Sequence, residues 1–91
     1  MTNSGFIPID RIIATQLHDG DGVLVDLNTK QYYQLNETAM LIWRALENGN
    51  SFEQIVGEIM SVYAVDQEHA VASAERLLKE FQARKLVRSA E

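Results

Sequence analysis

The chain has 91 residues and a formal net charge of −5, with 46% apolar and 23% charged side chains and no cysteine. That length suffices for one domain with a small core and excludes two, and the mixed composition excludes a disordered or collagen-like chain. Without cysteine, disulfides, thiol catalysis and cysteine-based zinc sites are excluded, which suits a reducing cytoplasm.

Residues 1–8 read as a flexible arm, polar at first, with Pro8 marking where regular structure begins. The arm lacks the basic start and apolar centre of a signal peptide, and no apolar run approaches the roughly 20 residues that span a bilayer. Residues 9–88 read as a single domain. Asp10–Leu17 is rich in β-branched residues and predicts a strand. Two successive Asp-Gly pairs, Asp19-Gly20 and Asp21-Gly22, then predict a turn, because glycine accepts positive φ. Val23–Leu27 alternates, with Val23, Val25 and Leu27 on one face and Leu24 and Asp26 on the other. After a turn at Asn28-Thr29-Lys30, Gln31–Leu35 forms a third strand, placing Tyr33 and Leu35 opposite Tyr32 and Gln34. Connections this short predict an antiparallel meander.

Helical spacing follows. Asn36 is placed to cap a helix whose stripe is Ala39, Ile42, Trp43 and Leu46, and Gly49 ends it. Ser51 and Gln54 fit a capping box ahead of Phe52, Ile55, Val56, Ile59 and Met60. Asp66 is placed to cap a third helix with Ala70, Val71, Ala74, Leu77, Leu78 and Phe81 inward, after which Leu86 and Val87 fold back onto the core. A sheet this short needs its apolar face covered. The fold class is therefore α+β, winged-helix-like: a three-stranded antiparallel sheet followed by three helices.

Few residues point to chemistry. His18, Asp19 and Asp21 resemble part of a calcium loop, but the twelfth position counted from Asp19 is Lys30 where a bidentate glutamate is required. No metal site is expected. His69 has no sequence partner that would make it a general base, so no catalytic residue is assigned. Trp43 lies on an apolar stripe and reads as core. A helical trio invites a DNA-binding reading, which stays as an alternative. Against it, Phe52–Val62 carries Glu53 and Glu58 and no basic residue. Charge is uneven: residues 1–75 sum to −8 and residues 76–91 to +3. The basic end suits either a helix C-terminus or the docking of an acidic partner. Gln31–Leu35 closes the meander and has either a covered edge or one open to another strand.

Gly22-Val23-Leu24-Val25-Asp26, then Tyr32-Tyr33-Gln34-Leu35-Asn36, then Ile42-Trp43 and the Phe52–Tyr63 helix together resemble the PqqD family, within the wider class of RiPP recognition elements. The resemblance covers about residues 9–88. It implies a non-catalytic, cofactor-free peptide chaperone. Such a protein binds the leader segment of a ribosomally made precursor peptide along its third strand and third helix. It presents that peptide to a modifying enzyme such as a radical SAM protein, a leader peptidase or a kinase-like protein, as in PQQ and other RiPP biosynthesis. On this chain the pairing strand would be Gln31, Tyr32, Tyr33, Gln34 and Leu35, and the groove wall Ala72, Glu75, Arg76 and Lys79. The Arg84–Arg88 end would dock the enzyme. A monomer or homodimer, with no nucleic-acid or membrane partner, is expected. A purely structural subunit of a partner enzyme is the remaining alternative. Tyr33→Pro would test strand addition if the Tyr33 N–H faces the free edge.

Overall fold

A computed structural model describes residues 5–89. The chain order is β1 (Phe6–Pro8), β2 (Ile12–Gln16), a 3-10 turn (His18–Gly20), β3 (Gly22–Asp26), β4 (Gln31–Leu35), α1 (Glu37–Glu47), α2 (Phe52–Tyr63), α3 (Gln67–Ala83) and β5 (Val87–Ser89). Strands β2, β3 and β4 form the expected antiparallel meander, in that order. The α+β architecture, sheet first and three helices after, is as the periodicity predicts.

The difference lies at the two ends. Phe6–Pro8 is not a loose arm: β1 pairs antiparallel with β5, placing Phe6 opposite Ser89, Ile7 opposite Arg88 and Pro8 opposite Val87. The Ile9 amide extends the clasp by donating to the Leu86 carbonyl at 3.1 Å. A three-residue strand has too little period to read locally, and its partner lies at the other end of the sequence. Pro8 is compatible because an edge strand tolerates a missing donor. The rest of the expected arm, Met1–Ser4, lies outside the described residues.

Each helix starts where its cap residue predicts. The Asn36 carboxamide oxygen accepts from the Ala39 amide at 2.9 Å, and the Asp66 carboxylate accepts from the His69 amide at 2.9 Å. Ser51 and Gln54 form the reciprocal box, with the Gln54 amide donating to Ser51 Oγ at 3.1 Å and the Ser51 amide to Gln54 Oε1 at 2.8 Å. The apolar stripes converge between the helices and the inner face of the sheet. Trp43 is wholly buried and meets Phe81 edge to face, with ring centroids 5.3 Å apart and planes at 85°. Its indole N–H, which would otherwise be an unmade bond, donates to Glu47 Oε2 at 2.9 Å. Gly22 lets the sheet approach α1, since a Cβ there would collide with the buried Met40 thioether.

Asp26 locks the β3–β4 hairpin. Its side chain is buried, and Oδ1 accepts from the amides of Asn28 at 2.8 Å and Thr29 at 3.2 Å. Arg11 Nε pairs with the same carboxylate at 3.0 Å, tying the approach to β2 to the hairpin. Burial raises this carboxyl's pKa, but the two amides and the Arg11 guanidinium outweigh it and hold the group below its ordinary value.

Trp43→Ala removes the largest side chain in the core and is expected to cost about 3–5 kcal/mol, read as the loss of stability in urea unfolding. A depressed native pKa means that Asp26 stabilises the fold above the unfolded carboxylate pKa and loses that contribution as pH falls through the native value. Thermal midpoints measured below about pH 4 should therefore fall more steeply for the wild type than for Asp26→Asn. Parallel curves would remove Asp26 from that role.

Candidate functional site

Strand β4 is an edge. Its one strand neighbour among the described residues is β3, with Leu24 opposite Tyr33 and Val25 opposite Tyr32. Which peptide groups face outward follows from the ladder. The Leu27 amide donates to the Arg11 carbonyl at 3.0 Å and the Leu17 amide to Asp21 at 2.7 Å, both in register with β2–β3. In an antiparallel ladder the bonding pairs alternate. Val23 and Val25 thus turn their peptide groups toward β2, and Leu24 turns its own toward β4. Across the next pair, Gln31, Tyr33 and Leu35 bond inward to β3. The N–H and C=O groups of Tyr32 and Gln34 are the ones left facing the open edge. The Tyr33 N–H points inward, so Tyr33→Pro would damage the sheet rather than test the edge.

Side chains on β4 divide as the alternation predicts. Tyr33 and Leu35 turn toward the helices. Tyr32 is 75% exposed and lies in register with Val25 and, beyond it, Ile13 on the outer face.

Beside β4, on the helix side, is a hollow of about 130 Å³. Its apolar lining is Leu35 from β4, Ala39 from α1, Leu77 and Phe81 from α3, and Leu86 from the returning chain. Tyr33, Gln34, Asn36, Glu80 and Arg84 also border it and give it a largely polar rim. The Arg84 guanidinium carbon sits 5.7 Å from the centroid of the Tyr33 ring, a cation–π contact joining α3's end to β4. The Tyr33 hydroxyl donates to Gln31 Oε1 at 2.7 Å, which holds the ring along the strand. The volume is close to the roughly 150 Å³ of an apolar cavity that takes benzene, enough for one aliphatic side chain. Glu80 and Arg84 offer opposite charges beside it.

The helix face bordering this hollow differs from the one expected. None of Ala72, Glu75, Arg76 and Lys79 lines it. Glu75 and Lys79 lie on the other flank of α3, around a second hollow with Phe6, Phe52, Leu78 and Gln82. Ala72 and Arg76 are exposed on the helix. The reason is angular. Each residue turns a helix by about 100°, and β4 meets α3 on the flank of Leu77, Glu80 and Arg84. Leu77 and Phe81 read in the sequence as core, which they also are. Arg84 reads as part of a basic tail, though its spacing of i+7 from Leu77 puts it on the same face.

The remaining candidates do not gather into a centre. His18 and Asp19 belong to the 3-10 turn, Asp21 follows it, and among the described residues no three or more His, Cys, Asp or Glu side chains come together as metal ligands would. Among the same residues no helix is long and apolar enough to cross a membrane. Helix α2 presents Glu53, Gln54 and Glu58 to solvent, a poor surface for DNA phosphates.

An open strand edge flanked by a side-chain-sized hollow is an arrangement for holding an extended peptide. Two solved structures share this fold. "TbiB1 in Complex with the TbiA(beta) Leader Peptide" is 26% identical, covers 93% of this chain and 98% of its own, and superposes with a TM-score of 0.84. "Lasso peptide synthetase B1 complexed with the leader peptide" is 27% identical, covers 92% and 98%, and gives 0.81. No curated protein matches the chain in sequence. Residues 21–87 match the family described as Coenzyme PQQ synthesis protein D (PqqD). That span runs from the start of β3 through all three helices and includes every residue bordering the β4 hollow, and the chain belongs to the PqqD family.

Proposed function

We propose that this protein is a RiPP recognition element: a peptide-binding adaptor that holds the leader segment of a ribosomally made precursor while a partner enzyme modifies it. The carrying observation is the open β4 edge, with the peptide groups of Tyr32 and Gln34 outward and, alongside, a hollow with an apolar wall and a polar rim. The leader adds as a fourth strand, making main-chain bonds to Tyr32 and Gln34. Backbone pairing is largely blind to sequence. Selectivity then falls to the aliphatic anchor in the hollow and to charged leader residues near Glu80 and Arg84. Gln31, Tyr33 and Leu35 shape the strand and the hollow rather than bonding the leader through their backbone. Arg76 lies within a turn of Glu80 and would meet leader residues only beyond the hollow; Ala72, Glu75 and Lys79 do not line it.

The two related structures carry bound leader peptides by their titles, which supports the same ligand class for this chain. The adaptor has no chemistry of its own in this reading. It works in the cytoplasm and hands the leader to a radical SAM protein, a peptidase or a kinase-like enzyme. Ordering a flexible leader costs conformational entropy, so moderate affinity is expected.

Gln34→Pro removes one outward N–H and leaves the inward ladder intact. Titrated with a synthetic leader peptide that the wild type binds, it should bind about tenfold more weakly than wild type, the loss of a main-chain bond at roughly 1.4 kcal/mol. Its amide spectrum should stay folded, whereas Tyr33→Pro should lose sheet structure. Unchanged leader affinity in a folded Gln34→Pro protein would rule out strand addition at this edge.

A further inference from the structure

Strand β2 is the other edge of the meander. By the same alternation that fixes β4, Ile13 and Thr15 turn their peptide groups to Val25 and Val23. Those of Ile12, Ala14 and Gln16 turn away from β3. The Ile12 amide donates to the Ile9 carbonyl at 3.0 Å. Among the described residues the N–H and C=O groups of Ala14 and Gln16 meet no backbone partner. An edge of this kind is commonly guarded by a lysine, a proline or a bulge. Ile12–Gln16 has none of them: every residue is uncharged, and the register with β3 runs unbroken.

The side chains on this edge are as unguarded as its backbone. Ile13 and Leu17 lie on the outer face of the sheet and are 46% and 45% exposed. Leu17 keeps extended backbone and its amide donates to the Asp21 carbonyl, so the edge continues one residue beyond β2. On the helix side the cover thins along the strand. Ile12 is buried, Ala14 half-buried and Gln16 exposed. The helix layer therefore recedes toward the Gln16 end and leaves room beside it.

We propose that β2 pairs antiparallel with β2 of a second copy, about a twofold axis at Thr15. With Thr15 opposite itself, Ala14 faces Gln16 of the second copy and Gln16 faces Ala14, each pair exchanging both main-chain bonds. The same register sets Ile13 opposite Leu17 of the second copy, so the exposed apolar side chains cover one another. At the axis, threonine meets threonine in a closely spaced pair, a favourable contact. Just outside the ladder, Arg11 comes toward Asp19 of the second copy, opposite charges at both ends of the seam. An axis at Ala14 matches the outward peptide groups as well, but it sets Leu17 against Arg11 and Ile13 against Thr15. The seam joins two meanders into one sheet whose ends are the two β4 edges, about 24 Å apart at about 4.8 Å per strand. Both β4 edges stay open, so this pairing goes beyond the peptide-binding reading and does not rest on it. A seam this short buries far less than the roughly 800 Å² per partner of a stable interface, so the dimer forms with rising concentration.

The test is sedimentation equilibrium of the full chain, with cross-linking to fix the register. The wild-type mass should rise toward twice the monomer as concentration increases. Thr15→Lys sets like charges against each other at the axis, and Thr15→Glu does so with the other sign. Each variant alone should sediment as a monomer, and an equal mixture of the two should recover the dimer. The chain has no cysteine, so Thr15→Cys supplies the only thiol. Its two copies would stand about 4.5 Å apart between Cα atoms, within disulfide reach. Mild oxidation should therefore yield a covalent dimer. Ile13→Cys should not cross-link, because its copies lie about 14 Å apart along the strands. Thr15 is exposed, so these substitutions spare the core, and circular dichroism checks that each variant is folded. A wild type that stays monomeric up to about 1 mM, or a dimer that Thr15→Lys leaves intact, overturns the pairing. So does a Thr15→Cys protein that cross-links no faster than Ile13→Cys.

Discussion

Phe81 serves two surfaces at once. Its ring meets Trp43 at a near-right angle, fixing how α3 lies across α1, and also lines the hollow beside β4. The position of that wall is thus set by a contact in the buried core. In a chain of this size the core cannot be separated from the site, because there is too little interior to insulate one from the other. A close-packed interior also transmits small displacements instead of absorbing them. A change at Trp43 is therefore felt at the hollow although Trp43 does not itself line it.

The hairpin adds the opposing wall. Asp26 gathers two turn amides and Arg11 onto one carboxylate and so sets where β4 begins. From that start the register of five residue pairs follows, and with it the outward aim of Tyr32 and Gln34. A slip of one residue would turn those groups inward and bring Tyr32 and Gln34 onto the helices. The edge is usable because the turn that precedes it is rigidly specified.

Much of this is legible in the sequence, for local reasons. Caps at Asn36, Ser51 and Asp66 and the helical stripes are short-range patterns, and the structure follows them. The alternation in Val23–Leu27 and Gln31–Leu35 places the correct side chains on each face. What escapes is nonlocal. The β1–β5 pair joins opposite ends of the chain, and neither strand is long enough to show a period. Parity of the β3–β4 ladder decides that Gln34, not Tyr33, carries an outward N–H, and parity depends on pairing with β2. The phase of α3 against β4 depends on how three helices settle together. The stripe predicts what α3 buries, but not which flank looks toward the strand. Leu77 and Phe81 are hidden from a functional reading because their core role already explains them.

The clasp of Phe6–Pro8 with Val87–Ser89 has a consequence for assembly into larger proteins. It brings the entering and leaving chain side by side, and neither strand borders the β4 hollow. A unit whose two ends meet at one spot can be spliced into a surface loop of another protein, or attached to it by either end, with little strain on the host. The same juncture suits circular permutation, with new ends opened at a distant turn such as Asn28-Thr29. In this fold the means of attachment and the means of recognition occupy separate places, so one can be altered without disturbing the other.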